Sequence, residues 1–440
     1  MHNRADGPGW TALIDDIVAG RWINPETGEA VRSPCQSIVI RESLDGGEAE
    51  LVRACGLAGR LAVVADAATY AALGARVARA LEPVATVVLD HPHADMATAE
   101  VLRARLEGAD AVVAVGSGTI NDLCKYVTGL DGRRYCVFAS AASMNGYAST
   151  TASMTLPSGL KVSLPSHAPA GFFVDLAVAA AAPPHLAAAG FGDCLVRSVA
   201  QIDWWMSHRL LGSAYSTAPY LLTDADERDL NRLAPALPRG DVEAVGSLFR
   251  VLTLCGLGVA LTGVSNHGSM GEHQVSHYID CFAGDRHPGT LHGQQVGVAS
   301  LTLARLQQRM LADERPPVLR PTRIDEAGMV RRIGGAAAAQ CLKLFRRKAL
   351  DAAGAAAMNA RLERTWPELR QECAAFMIPA DEMTRLLAAA GGPTTARELG
   401  LPADFYREAV LHCREMRDRF SFLDLADDAG LLEDFVAALA

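Results

Sequence analysis

The sequence predicts an α/β domain with a parallel sheet, followed by an all-helical domain. Up to about residue 175, short apolar runs alternate with amphipathic helical patterns, as in a parallel sheet flanked by helices. Beyond that point β-branched runs become rare and long helical patterns dominate. With 440 residues, half of them hydrophobic, the chain is long enough for two domains, which we assign to residues 1–175 and 176–440.

The strands and helices of the first half follow from the positions of the apolar runs. A β-α-β pattern covers the beginning, and a hairpin turning at residues 157–159 precedes the last strand. The predicted strands are 60–66, 84–89, 111–116 and 171–175, with helices up to residue 81 and over 95–107 and a hairpin over 155–164.

The second half is predicted to contain long helices, among them 193–208, 242–261 and 402–420. Residues 251–271 carry no charged side chain, but five glycines and a polar end predict a buried helix followed by a loop, not a membrane span. The acidic stretch 217–240 is expected to be a solvated surface segment.

Composition narrows the class of ligand. The net charge of −9 and a pI near 5.8, with no basic block, exclude nucleic acid and anionic membranes as expected partners and favour a small molecule. The ten cysteines form no Cys-x-x-Cys pair, and several lie in apolar runs, as reduced core thiols do. The first residues lack the apolar core of a signal peptide, so we expect a cytoplasmic protein.

A turn at the end of the 111–116 strand suits a phosphate group. Gly116 and Gly118 remove side chains where a backbone would approach a pyrophosphate, and Thr119 can cap the helix that follows. The pattern is not the usual dinucleotide fingerprint, because Asn121 stands where the third glycine would be, nor is it a P-loop. An ordinary tight strand-to-helix turn is the alternative interpretation.

Asp66 closes the 60–66 strand and has two interpretations. In a nucleotide-binding domain, a carboxylate just past a strand accepts hydrogen bonds from a ribose diol and repels a 2′-phosphate, which favours NAD over NADP. The same position before Ala67 suits a helix N-cap.

Residues 140–149 are rich in small and hydroxyl-bearing side chains and follow a predicted strand. They could line the cofactor's phosphates or nicotinamide, while Asn145 offers a donor and an acceptor to a hydroxylated substrate. A simple Ser/Ala-rich loop is the alternative.

The helical half and its border supply a candidate metal site. Asp193, His273 and His292, with His277 four residues after His273, provide one carboxylate and up to three imidazoles, enough to bind a divalent metal and leave a position open for a substrate oxygen. A zincin is excluded because Gln274 follows His273. Separate polar residues at helix ends are the alternative.

Five segments together resemble the sn-glycerol-1-phosphate dehydrogenase family, especially its bacterial branch. The resemblance covers about residues 60–300. That family belongs to the iron-containing alcohol dehydrogenase and dehydroquinate synthase-like group, whose members have an N-terminal Rossmann-like domain and a C-terminal helical domain. The segments are 116–125, 140–149, 190–193, 271–277 and 291–297.

The resemblance implies NAD(P)H-dependent reduction of dihydroxyacetone phosphate to sn-glycerol 1-phosphate with a divalent metal, which is zinc or nickel in known members; an Asp-His-His site would also accept iron. One departure is Asn145, where archaeal members have aspartate. The implied roles are metal binding by Asp193, His273 and His292, substrate contact by His277 and Asn145, and cofactor binding by Gly116, Ser117, Gly118, Thr119, Ile120, Ser140, Ser143 and Ser149, beside the candidate Asp66.

Three other functions stay open. The substrate could be another phosphorylated ketone or polyol; Lys161, Arg197 and Lys343 are candidate phosphate ligands in any of these cases. A dehydroquinate-synthase-like cyclase is disfavoured, because such enzymes generally place glutamate where this chain has Asp193. A catalytically silent nucleotide-binding protein is the non-enzyme alternative. A homo-oligomer is compatible with all of them.

Overall fold

The computed structural model describes residues 9–439. Its helices are mostly α, with short 3-10 helices at 234–239, 266–268, 284–286 and 413–416 and a π-helical turn at 70–74. The α-helices are α1 (Ala12–Val18), α2 (Glu48–Ala54), α3 (Ala67–Thr69), α4 (Ala75–Leu81), α5 (Met96–Arg105), α6 (Gly118–Asp131), α7 (Leu176–Ala180), α8 (Pro184–Leu195), α9 (Arg197–Leu211), α10 (Ala218–Leu233), α11 (Val242–Thr262), α12 (Gly271–Phe282), α13 (His292–Ala312), α14 (Glu326–Ile333), α15 (Gly335–Phe345), α16 (Ala352–Phe376), α17 (Ala380–Ala389), α18 (Ala403–His412), α19 (Phe422–Asp428) and α20 (Leu432–Ala437).

Within residues 9–439, eight strands form two sheets. The six-stranded sheet has the order β1-β8-β5-β4-β2-β3 and is parallel throughout, and β6 pairs antiparallel with β7. The predicted fold class, a parallel α/β domain followed by a largely helical region, is confirmed. The strands are β1 (Ser37–Arg41), β2 (Leu61–Asp66), β3 (Ala85–Leu89), β4 (Ala111–Gly116), β5 (Arg134–Ala139), β6 (Thr151–Thr155), β7 (Lys161–Pro165) and β8 (Gly171–Asp175).

The centre of the large sheet is its apolar core. All residues of β4 and β8 are buried, as are all but the first residue of β5, because helices cover both faces of a parallel sheet. The chain connects β2 to its outer neighbour β3, whereas the strands after β4 continue toward the opposite edge. The strand order therefore reverses between β2 and β4, and in open α/β sheets ligands bind at the carboxyl ends of the strands flanking such a point.

The described chain divides into two compact units. One comprises residues 9–157, 161–194 and 216–264, and the other comprises 158–160, 195–215 and 265–439. The predicted domain boundary after residue 175 lies inside the first unit, where β8 ends and α7 begins. A domain border after residue 175 therefore stays a prediction.

Three expectations for the helical half need correction. The predicted helix 193–208 is interrupted at Val196, which keeps helical dihedrals (φ −61°, ψ −23°) and is marked by neither glycine nor proline. The predicted helix 402–420 ends at His412, since the chain passes through a 3-10 turn and becomes extended at Arg417. The 217–240 segment contains α10, whose Asp226 pairs with Arg250 on α11, so this segment is partly buried.

The apolar stretch around residue 255 behaves as predicted. α11 is long and apolar enough to cross a membrane, but most of its residues are buried within the protein. It ends at Gly263 with a left-handed backbone (φ 69°), after which the chain becomes a loop. The confirmed interpretation is a buried core helix.

Candidate active site

The turn between β4 and α6 has room for backbone only. A Cβ added to Gly116 would lie 2.7 Å from Cβ of Ile120, and one added to Gly118 would lie 3.0 Å from Sδ of Met144. Position 116 therefore requires glycine, because Ile120 of α6 leaves no space for a Cβ. A ligand at this turn would meet main-chain atoms.

The predicted capping of α6 by Thr119 is wrong. The helix begins at Gly118, so Thr119 lies in its first turn, and the N-cap is Ser117, whose side chain makes no capping hydrogen bond. The first backbone N–H groups of a helix have no intrahelical acceptor. At the end of a strand, such a helix start can bind an anion through its N–H groups and its positive dipole end.

Asp66 lies at the end of β2, beside β4 in the sheet, and hence at the point where the strand order reverses. Its Oδ1 accepts a hydrogen bond from the backbone N–H of Thr69 at 2.8 Å, and its own N–H donates to Oγ1 of Thr69 at 3.1 Å. The N-cap interpretation is confirmed. Because the cap uses Oδ1, a role of the other oxygen toward ribose stays a prediction.

The loop of residues 140–149 is packed against two helices through glycines. A Cβ on Gly190 of α8 would lie 1.9 Å from the carbonyl oxygen of Ala142, and one on Gly256 of α11 would lie 2.4 Å from that of Asn145. The backbone N–H of Ser140 donates to the carbonyl of Gly116 at 3.1 Å, which joins this loop to the glycine turn. These contacts explain the first glycine of the Gly-Phe-Gly-Asp segment.

Lys125 holds the far end of this loop, and the sequence interpretation assigned it no role. Its side chain is fully buried on α6, and Nζ donates to the carbonyls of Gly146 at 2.7 Å and Thr151 at 3.1 Å and to Oγ of Ser149 at 3.1 Å. Burial lowers the pKa of Lys125 to about 8. The signal in the sequence that could have identified Lys125 is a lysine within the largely apolar helical pattern of α6.

Asn145 and Asp193 are brought together within the first unit. The backbone N–H of Asn145 donates to Oδ2 of Asp193 at 3.0 Å, and its Nδ2 donates to Sγ of Cys255 at 3.7 Å. Asp193 is buried near the end of α8. The structure thus places a predicted substrate residue beside a predicted metal ligand.

Three predicted histidines converge within the second unit. His273 and His277 lie one turn apart on α12, and His292 is the first residue of α13. The ring centroid of His292 lies 5.0 Å from that of His273 and 5.4 Å from that of His277. His273 and His277 are buried and His292 is half-buried, so the three rings form an imidazole cluster that solvent reaches from one side chain only.

Two of these rings are oriented through Nδ1. Nδ1 of His273 lies 2.9 Å from Oε1 of the fully buried Glu272, and Nδ1 of His292 lies 2.8 Å from Oγ of Ser276. Such bonds fix the tautomer and direct Nε2 toward a ligand, as is usual for histidines that bind metals. Glu272 and Ser276 are candidate functional residues that the sequence does not reveal, because nothing in their local pattern distinguishes them from other helical polar residues.

Comparison with known proteins gives the family that the chain resembles. Residues 39–183 match the family model described as iron-containing alcohol dehydrogenase. The chain is 27% identical over 382 residues to a glycerol-1-phosphate dehydrogenase [NAD(P)+] of Bacillus velezensis, covering 84% of this chain and 86% of the relative. Over 239 residues it is 29% identical to the enzyme of the same name from Methanothermobacter thermautotrophicus, covering 54% and 68%.

A solved structure supports the fold alone. A probable glycerol dehydrogenase from Sinorhizobium meliloti superposes with a TM-score of 0.60 at 18% identity, covering 92% of this chain and 98% of that chain. The family match, the bacterial relatives and the parallel sheet followed by helices agree on one assignment. The chain is a glycerol-1-phosphate dehydrogenase-like oxidoreductase, and its residues 39–183 match the iron-containing alcohol dehydrogenase family.

Proposed function

We propose that this protein reduces dihydroxyacetone phosphate to sn-glycerol 1-phosphate with NADH or NADPH in a metal-dependent reaction. The observation that carries the proposal is the orientation of His273 and His292 by Glu272 and Ser276. That arrangement belongs to a metal centre more than to a set of unrelated polar residues. The relatives named glycerol-1-phosphate dehydrogenase support the substrate, although 27% identity leaves the carbon skeleton open.

The residues present fit a divalent metal. Asp193, His273 and His292 are a group that could hold one ion, with one carboxylate oxygen and two imidazole nitrogens that suit zinc, nickel or iron. Bound there, a divalent metal supplies Lewis-acid chemistry toward a carbonyl oxygen. Asp193 would then have two roles. It accepts a hydrogen bond from the backbone N–H of Asn145, and in this proposal it also binds the metal.

The cofactor is assigned to the carboxyl edge of the large sheet. In this proposal the backbone from Gly116 to Ile120 binds the pyrophosphate, and the 140–149 loop, with Ser140, Ser143 and Ser149, lines the rest of the cofactor. Asp66 accepts from the ribose hydroxyls, which favours NADH. The nicotinamide supplies the hydride.

His277 and Asn145 act on the substrate in this scheme. When hydride adds to the carbonyl carbon, the π-bond electron pair moves to the oxygen, which needs a proton, and a ring N–H of protonated His277 donates it. Asn145 orients a substrate hydroxyl; its Nδ2 is directed at Cys255, which leaves Oδ1 as the acceptor. Deprotonated His277 then recovers its proton from solvent before the next turnover.

Asn145 also favours a second candidate function. An amide where archaeal members have a carboxylate changes the hydrogen bonding available to a substrate hydroxyl. Dehydrogenation of another phosphorylated ketone or polyol is therefore the second candidate. We place the reaction in the cytoplasm, where NADH is available and the scattered cysteines stay reduced.

The direct test is NADH oxidation by purified, metal-loaded protein with dihydroxyacetone phosphate, followed by chiral analysis of the product. We expect consumption of one NADH per ketone and formation of sn-glycerol 1-phosphate. The sn-3 isomer would contradict the stereochemical part. If only other phosphorylated ketones are reduced, the second candidate replaces the first, and a conversion without net NADH consumption would indicate a cyclase.

A further inference from the structure

A buried polar chain links the two helices that carry the histidine cluster. α12 packs against α13, and Ser276 of α12 and Gln295 of α13 are both fully buried. Oγ of Ser276 lies 2.8 Å from Nδ1 of His292 and donates to Oε1 of Gln295 at 2.8 Å. Nε2 of Gln295 donates in turn to Oδ1 of Asp280 at 3.0 Å. His292 is thus connected to a carboxylate through two neutral side chains.

The spacing of these residues along the helices builds the chain. Ser276 and Asp280 lie four residues apart on α12, and His292 and Gln295 lie three apart on α13, so each pair shares one face of its helix. Burial of a hydroxyl and an amide is costly unless both are hydrogen-bonded, and here each bonds the other. The two packed helices therefore meet through a continuous polar contact.

Asp280 ends the chain as an acceptor of two hydrogen bonds. Its side chain is mostly buried, and Nε2 of His287 lies 3.2 Å from the same Oδ1 that accepts from Gln295. Nδ1 of His287 accepts from the backbone N–H of Gly289 at 3.1 Å, so in the neutral ring Nε2 carries the proton and donates to Asp280. Two donors directed at one oxygen are what a carboxylate requires.

The carboxylate gives the chain a single direction. Because a carboxylate only accepts, the NH2 end of the Gln295 amide must face Asp280, and Oε1 must face Ser276. An amide oxygen also only accepts, so the one hydroxyl proton of Ser276 is donated to Gln295. The oxygen of Ser276 then accepts from His292. Nδ1 of His292 therefore carries the ring proton, and Nε2 has the lone pair that a metal ligand needs.

The second proposed imidazole ligand has a shorter form of the same support. Nδ1 of His273 lies 2.9 Å from the carboxylate of Glu272 without any intermediate. Oδ2 of Asp280 lies 3.9 Å from Nδ1 of His292, which is too far for a hydrogen bond, so its hydrogen-bonded route to the ring runs through the chain. Both imidazoles are thus backed by a carboxylate, one directly and one through two side chains.

We propose that Asp280 is a positioning residue for the metal ligand His292 and acts on it through Gln295 and Ser276. The inference rests on the proposed metal site and adds to it the group that sets the tautomer and orientation of one ligand. A carboxylate behind a histidine fixes the ring and makes its other nitrogen a stronger ligand. Hydrogen bonds in series polarise one another, so the charge of Asp280 is felt at His292.

The first test measures Co²⁺ binding to the metal-free protein by competition with a chelator. D280N keeps the shape of the side chain, but an amide at this position can present either its oxygen or its NH2 group, so the chain loses its direction. We expect the affinity for Co²⁺ to fall about 10- to 100-fold. D285N is the matched control, since it removes the same charge from an exposed residue in the 3-10 turn after α12.

Three results of this test would overturn the proposal. They are an unchanged affinity in D280N, an equal loss in D280N and D285N, and no binding of Co²⁺ by the wild type. A purely structural role of Asp280 would lower the free energy of unfolding but leave the Co²⁺ affinity of the folded protein unchanged.

The second test determines the tautomer of His292 and needs no change at Asp280. Nitrogen NMR of metal-free protein labelled at its histidine rings distinguishes a protonated from an unprotonated ring nitrogen, and the signals of His292 are those missing in H292A. We expect the proton on Nδ1 in the wild type and a mixture of tautomers in D280N. A proton on Nε2 in the wild type would contradict the proposed direction of the chain.

Activity separates this inference from the proposed function. If Co²⁺ affinity and tautomer depend on Asp280 but no phosphorylated ketone is reduced, the positioning role stands and the proposed function fails. If dihydroxyacetone phosphate is reduced but D280N binds Co²⁺ as tightly as the wild type, the positioning role fails and the proposed function stands.

Discussion

The glycine turn after β4 and the histidine cluster of α12 and α13 are built on opposite principles. At the turn, the proposed function depends on missing side chains: Gly116 would clash with Ile120 if it carried a Cβ. In the cluster, the proposed function depends on side chains that hold other side chains, as Glu272 holds His273. The first site should therefore fail when atoms are added, and the second when they are removed.

The largest effect is expected within the histidine cluster, where His277 differs in role from its neighbours. H277A should lower kcat about 100- to 10,000-fold, the usual contribution of a positioned general acid. The metal content should stay the same, because His277 is not among the proposed ligands. Metal analysis beside steady-state kinetics checks both. H185A, at an exposed histidine, is the control, and loss of metal in H277A would make His277 a ligand.

At the glycine turn, adding one methyl group is the sharpest perturbation. G116A places a Cβ 2.7 Å from that of Ile120, which forces the turn to move. Since overpacking costs about 1–3 kcal/mol, we expect dinucleotide affinity to fall about 10- to 100-fold. Fluorescence titration with NADH measures it. The same change at Gly335, where a Cβ would meet nothing within 4 Å, should have no effect, and equal affinities in both variants would contradict the assignment.

A smaller effect on turnover is expected from the residues behind the metal ligands. E272Q keeps the shape but removes the charge that orients His273, and should weaken metal affinity about 10- to 100-fold. Competition with a chelator of known affinity gives the value. E408Q is a matched control, since Glu408 on α18 bonds Tyr278 of the same helix α12 rather than a histidine. Similar affinities in E272Q and E408Q would show that Glu272 is structural.

The smallest effect concerns the tether of the 140–149 loop. Because the folded protein lowers the pKa of Lys125 from 10.5 to about 8, the unfolded chain holds this proton more tightly between these two values. The free energy of unfolding should therefore rise with pH across this window, by on the order of 1–3 kcal/mol relative to K125M. Urea unfolding at several pH values measures the difference. A constant difference would contradict burial of a charged Lys125, and K343M, at an exposed lysine, is the control.

The two regions also differ in how far the sequence predicts them. The strands ending at Asp66, Gly116 and Asp175 follow from apolar runs, because a buried parallel strand must be apolar on both faces. The glycine turn is visible because only glycine tolerates its contacts. The break at Val196 cannot be seen in the sequence, because the helix is interrupted there without a glycine or proline to mark the position.

Within the candidate sites, residues proposed to meet a ligand are easier to find in the sequence than residues that meet other residues. Asp193, His273 and His292 combine residue type and order in a way that suggests a metal. Lys125 and Glu272 act through contacts with segments distant in sequence or with an adjacent ring, and their identity alone is ordinary for a helix. The 402–420 pattern misled for a similar reason: its apolar spacing continues through Cys413 and Met416, although Ser421 must be extended to cap α19.

The central claim is that Asp193, His273 and His292 together hold one divalent metal on which ketone reduction depends. The most direct measurement is metal stoichiometry and NADH oxidation with dihydroxyacetone phosphate for the wild type and for D193A, H273A and H292A. We predict one metal per chain and full activity in the wild type. Each variant should lose both the bound metal and the activity, and added NADH should not restore the activity of any variant. Retention of metal and activity in any one of the three would contradict the account.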